Sequence, residues 1–151
     1  MTDGNSAEKL AARTAKWANT MAKVRFSKHA TVPKWQWVRF LGPKKRESAG
    51  IVDVLLIRKD HREPPKGLKR GDLFEIILLQ IKGGSAPWPS REDIRRLRIV
   101  GKRYGAKAIL LASWQKGTTP DVYELKKGIR THAKGRDVWK LLPSLKELLR
   151  G

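Results

Sequence analysis

Leu73-Phe-Glu-Ile-Ile-Leu-Leu-Gln-Ile-Lys82, stopped by Gly83-Gly84, is the longest β-strand signal in the chain. Its dense aliphatic run reads as a strand covered on both faces, as in a sheet sandwiched by helices. After the irregular link 85–89, Ser90 stands as an N-cap with Asp93 at the third helical position. A helix over 90–104 then ends at Gly105, a glycine suited to the left-handed C′ position. Ala-Lys-Ala-Ile-Leu-Leu-Ala-Ser, 106–113, is a second strand. A strand, helix and strand of these lengths form a crossover, so strands 73–82 and 106–113 are expected to lie parallel.

Working outward, Gly50-Ile-Val-Asp-Val-Leu-Leu-Ile57 is a further buried strand, separated by a charged loop carrying Pro64, Pro65 and Gly67. The stretch 41–49 is turn-prone and basic. Residues 24–40 turn to β-formers around Pro33, with Trp35 and Trp37 on one face. Within residues 1–23, Asn5 to Lys23 reads as an amphipathic helix, with Asn5 and Glu8 at capping-box spacing. Downstream, 122–125 reads as a short strand, and 137–149 as an amphipathic helix containing Pro143. The expectation is one α/β domain over 1–151, a central mixed β-sheet flanked by helices, with its core motif region at 50–114.

Composition narrows the function. The 151 residues hold 34 Lys and Arg against 14 Asp and Glu, a net charge of +20, and no cysteine. Disulfides and thiolate chemistry are excluded. No stretch approaches the roughly 18–20 apolar residues of a membrane span, and the first 25 residues lack the apolar run of a secretory signal. A cytoplasmic protein is expected, nucleoid-associated in a bacterium. So large a positive charge calls for a polyanionic partner, nucleic acid first and anionic membrane second.

Two buried strands carry polar residues that burial makes expensive. Asp53 lies between Val52 and Val54 and needs a cation, a metal or hydrogen-bond donors. Gln80 and Lys82 are two apart and so share one strand face at the end of an apolar run, with Ile81 and Glu75 on the other. A carboxylate, an oxygen ligand and an ammonium at adjacent strand ends are suited to a hard divalent cation. A structural Asp53–Lys82 ion pair, with Gln80 capping the sheet end, is the alternative.

An aspartate on one strand, Gln-Ile-Lys near the end of the next, then a basic helix and a parallel strand resembles the PD-(D/E)xK nuclease superfamily. The variant is similar to Mrr-type restriction nucleases, in which glutamine replaces an acid. The resemblance implies a restriction-endonuclease-like fold, which includes the Holliday junction resolvases, and a cofactor of Mg²⁺ or Mn²⁺. It implies a metal site of Asp53, Gln80 and the Ile81 carbonyl, and Lys82 as the catalytic lysine. A further acid from the first helix would be Glu8. Val52 stands where the pattern has proline, and Gln80 leaves the site one negative charge short.

The expected substrate is DNA, held by its backbone and cut structure-selectively or without sequence preference. Arg91, Arg95, Arg98 and Lys102 form one basic stripe on helix 90–104, opposite Ile94, Leu97, Gly101 and Tyr104. The helix N-terminus offers phosphate-binding N–H groups, countered by Glu92 and Asp93. Lys44, Lys45 and Arg46 form a second patch, and Lys66, Lys69 and Arg70 a third. Trp17, Trp35 and Trp37 suit core or dimer packing; core packing is the first expectation for Trp88 too, with stacking on a base the alternative its loop position allows. A homodimer through Val138, Leu141, Leu142, Leu145 and Leu148 is one expectation, packing on the chain's own core the other. No small-molecule cofactor and no membrane partner are expected. The rival functions are a catalytically inactive DNA-binding protein of the same fold and an RNA-associated basic protein.

Overall fold

The computed structural model of the protein describes residues 3–27, 35–41, 49–127 and 135–150. Helix α1 (Asp3–Ser27) leads to strands β1 (Gln36–Arg39), β2 (Val54–Lys59) and β3 (Phe74–Gly83). Helix α2 (Arg91–Tyr104) crosses to β4 (Ala108–Trp114), followed by β5 (Asp121–Leu125), β6 (Trp139–Leu142) and the short helix α3 (Lys146–Arg150). The six strands form one sheet in the order β1-β2-β3-β4-β5-β6. β3 and β4 are parallel, with Ile77 opposite Ala108 and Lys82 opposite Ser113, as the crossover length requires. Every other neighbouring pair is antiparallel. The chain is thus α/β with a mixed sheet flanked by helices.

Strand alternation divides the core into two layers. Val54, Leu56, Ile77, Leu79, Leu110 and Val122 pack with Ala22 and Phe26 of α1 and with Leu145 and Leu149. On the other face, Leu111 and Leu125 pack with Ile94 and Leu97 of α2 and with Val138 and Trp139. Small residues let α1 lie close to the sheet. A Cβ added at Gly83 would come within 2.8 Å of the Ala18 Cβ, so glycine is required where the helix crosses the strand end.

The caps of α2 form as the sequence specifies. Ser90 Oγ accepts from the Asp93 N–H, the Asp93 carboxylate accepts from the Ser90 N–H, and Gly105 closes the helix at φ 60°. Only the apolar stripe needs amendment there: Ile94, Leu97 and Gly101 are buried, but Tyr104 is exposed.

Three further expectations are corrected. Residues 24–27 continue α1 rather than beginning a β segment, because Phe26 reaches the core below the sheet. β2 begins at Val54 and runs on through Arg58 and Lys59, which pair with Glu75 and Phe74. The expected helix 137–149 is instead a 3-10 turn (Gly135–Val138), strand β6 and α3. Pro143 lacks an N–H and holds the preceding residue extended, so the chain here pairs with the free edge of β5, Leu142 opposite Val122. The apolar residues expected as a helical dimer face consequently divide: Val138 and Leu145 are buried in the two core layers, while Leu141 is exposed.

Candidate active-site cleft

The start of β2 lies beside the carboxyl end of the parallel pair β3–β4, the end at which open α/β sheets take their ligands. Here β2 leaves its ladder. Paired residues sum to one register from Val54–Leu79 onward, but the Asp53 N–H donates to the Leu79 carbonyl (3.1 Å), one residue out of step. The regular partner for the Ile81 N–H would be the carbonyl of Val52. Asp53 Oδ2 accepts that N–H instead, at 2.8 Å. A second side chain completes the connection: Gln80 Nε2 donates to the Ile51 carbonyl at 2.9 Å. Segment 51–53 is therefore fastened to β3 by side chains where backbone pairing stops.

Asp53, Ile81, Lys82, Gly83 and Gly84 form one wall of an open cleft of about 620 Å³, and the inward side of α1, around Ala11, Thr14 and Ala18, forms the other. Of the expected site residues, Asp53, Ile81 and Lys82 come together here. Among the described residues no ion pair joins Asp53 to Lys82, the alternative of a structural salt bridge. Gln80 does not line the cleft. It pairs with Leu111 of the α2-side layer, is 5% exposed, and its Oε1 is buried without a hydrogen-bond partner. Glu8 is exposed and also absent from the lining, which its neighbours Ala7 and Ala11 supply. No group of three or more His, Cys, Asp or Glu side chains placed to hold a metal occurs among the described residues.

The basic stripe of α2 is only partly available. Arg91 and Lys102 are exposed. Arg95 holds Glu92 by two hydrogen bonds, 2.6 and 3.0 Å, which raise the pKa of Arg95 and lower that of Glu92. Arg98 Nη2 donates to the Lys126 carbonyl at 3.2 Å. The α2 N-terminus is closed by its own capping box, with Glu92 and Asp93 in the first turn, so it is a poor place for a phosphate. Lys44, Lys45 and Arg46 lie outside the described residues. Trp88 packs against Tyr123 with ring centroids 4.7 Å apart, and the Arg136 guanidinium lies 4.2 Å from its ring centre. Trp88 thus packs against the α2-side core, as expected, rather than standing free for a base. Trp35 is buried and Trp37 packs against the same layer, whereas Trp17 is 55% exposed.

A second polar centre escaped the sequence reading. At the other end of β3, Arg58 Nε donates to Glu75 Oε2 at 2.7 Å, both side chains 4% exposed. Arg58 also donates to the carbonyls of Leu149 (2.6 Å) and Arg150 (3.3 Å), and its guanidinium lies 4.3 Å from the centre of the Trp35 ring. Lys107 Nζ and Trp35 Nε1 donate to the carbonyls of Leu148 and Leu149. Burial lowers the Lys107 pKa, and Glu75 opposes that shift. The centre supplies donors to the last carbonyls of α3 and fixes the C-terminus to the sheet.

No protein-family model, curated protein or solved structure matches the chain. The fold and the cleft therefore stand on their own geometry. No described helix is long and apolar enough to cross a membrane.

Proposed function

We propose that the chain is a small metal-dependent nuclease of restriction-endonuclease-like fold that hydrolyses DNA phosphodiesters, structure-selectively or without sequence preference. The observation that carries this reading is the Asp53–Ile81 hydrogen bond. It holds a carboxylate in the cleft that Lys82 also lines, at the carboxyl end of the parallel strands. The element order supports it: a helix, three antiparallel strands, a basic helix and a parallel strand is the context in which the Asp and Gln-Ile-Lys motif resembles the PD-(D/E)xK superfamily.

The residues fit a hard cation by donor type. In the cleft the oxygen donors are the Asp53 carboxylate and the Ile81 carbonyl; the buried, unpartnered Gln80 Oε1 lies in the α2-side layer and is not one of them. Mg²⁺ needs only one or two carboxylates because it retains several waters. Bound there, the cation would stabilise charge on a phosphate oxygen and lower the pKa of a water. Asp53 would bind and orient the cation, and Lys82, which also borders the cleft, would position the attacking water or the scissile phosphate.

One observation favours a second reading, a DNA-binding protein without catalysis. Gln80 contributes its amide to Ile51 and lies outside the cleft lining, which leaves Asp53 as the only acidic residue among the described residues that line it. The two readings separate in a cleavage assay on branched, duplex and single-stranded DNA with Mg²⁺ or Mn²⁺. Turnover that disappears with chelator, with Asp53→Asn and with Lys82→Gln supports the nuclease. Salt-sensitive binding that ignores the metal and yields no product in any arm supports the binding protein.

A further inference from the structure

We propose that the groove between the C-terminal half of α2 and the end of β5 is a second DNA-backbone site, separate from the Asp53 cleft. The inference rests on the DNA reading above and extends it to where the substrate lies. The groove holds about 440 Å³, and Arg98, Lys102, Lys126 and Lys127 stand around a floor that includes Ile109 and Leu125. Among the described residues no carboxylate lines it.

Four cations without an acid among them repel one another, and that cost is relieved by an anion. The usual structural reason for cations here would be to neutralise the C-terminal carbonyls of α2. Two of those carbonyls are already served: the Gly105 N–H reaches Gly101 and Lys102, and the Ala106 N–H reaches Gly101 at 2.8 Å. Arg98 is held by its bond to the Lys126 carbonyl, so one guanidinium is positioned before any ligand arrives. Lys102, Lys126 and Lys127 are exposed. A phosphate backbone carries the repeated charge that such a row of cations matches.

The groove and the cleft do not share a surface. The cleft lies under α1 on one face of the sheet and the groove beside α2 on the other, so each is a separate place for a backbone.

The test measures binding of the full chain to a duplex of about 20 base pairs over a salt series. The groove variant is Lys102→Gln/Lys126→Gln/Lys127→Gln, and the charge-matched control is Lys23→Gln/Lys140→Gln/Lys146→Gln, three exposed lysines outside every candidate patch. Circular dichroism confirms that both fold. The groove variant should bind at least about tenfold more weakly, with the slope of log K against log[salt] shallower by about 0.9 for each phosphate it no longer neutralises. The control should shift less than about threefold. Equal losses in both variants would reduce the groove to net charge and overturn the proposal. So would a groove variant that loses only anionic-vesicle binding. Wild-type protein that fails to bind DNA overturns the DNA reading itself. Wild-type binding unchanged in the groove variant overturns the groove alone.

Discussion

Asp53 Oδ2 lies 2.8 Å from the Ile81 nitrogen and occupies the position that the carbonyl of Val52 would hold in an unbroken ladder. One carboxylate therefore finishes the sheet and supplies the acid of the proposed site. The two roles separate by substitution. Asp53→Ala strands a half-buried N–H and should cost about 1–3 kcal/mol in chemical denaturation. Asp53→Asn keeps an oxygen acceptor and should cost less than about 1 kcal/mol, yet lose turnover as fully as the alanine variant. Equal destabilisation by both variants would show that the negative charge, not the hydrogen bond, secures segment 51–53.

Arg58 joins β2 to Glu75 and to the last carbonyls of α3. Removing one member of a buried ion pair typically costs about 3–5 kcal/mol, because its partner is left charged and dry. Arg58→Ala should fall near that, about 3–5 kcal/mol, and hydrogen exchange at 145–150 should accelerate before global unfolding. The double variant Arg58→Met/Glu75→Leu should recover most of the loss. Unchanged exchange at the C-terminus in Arg58→Ala would mean that Trp35 and Lys107 hold α3 without it.

The central unit was legible because its signals are local. The run 73–82, the Ser90–Asp93 box and Gly105 each specify their own conformation, and together they fix the β3-α2-β4 crossover. The C-terminus was not legible. Val138, Leu141, Leu142, Leu145 and Leu148 satisfy a helical stripe, and only the open edge of β5 turns 139–142 into a strand. Asp53, Ile81 and Lys82 were found at their strand ends, but strand alternation turns Gln80 to the α2-side layer, where its amide bonds the Ile51 carbonyl. The Arg58 centre joins residues 58, 75, 107 and 149, and no local pattern links positions so far apart. The small residues of α1 that wall the cleft were visible as Ala7, Ala11 and Ala18, but they read as an ordinary helix face.

Asp60 offers a pH-dependent check on the loop after β2. The Arg62 side chain, then its backbone N–H, donate to the Asp60 carboxylate and lower its pKa from 3.8 to about 2. A depressed carboxylate pKa adds stability that is complete above the unfolded value. It is lost as pH falls from 3.8 through about 2. An NMR titration of the Asp60 carboxyl should show its midpoint near 2, returning toward 3.8 in Arg62→Gln. A midpoint near 3.8 in the wild type would show that the Arg62 bonds do not persist in solution.

Gly83 decides how closely α1 can cover the cleft. A methyl group there would sit 2.8 Å from the Ala18 Cβ and 3.3 Å from the Thr14 carbonyl oxygen, both on a helix packed against the strand end. Overpacking of this kind costs about 1–3 kcal/mol, and Gly83→Ala should lose stability in that range. Ala18→Gly removes the nearer obstacle but adds a helix-interior glycine costing about 1 kcal/mol. The double variant Gly83→Ala/Ala18→Gly should therefore be more stable than the sum of its single changes predicts, by about 1 kcal/mol. Additive losses would mean that α1 shifts freely over β3. In that case the cleft wall facing Asp53 and Lys82 would be adjustable rather than fixed.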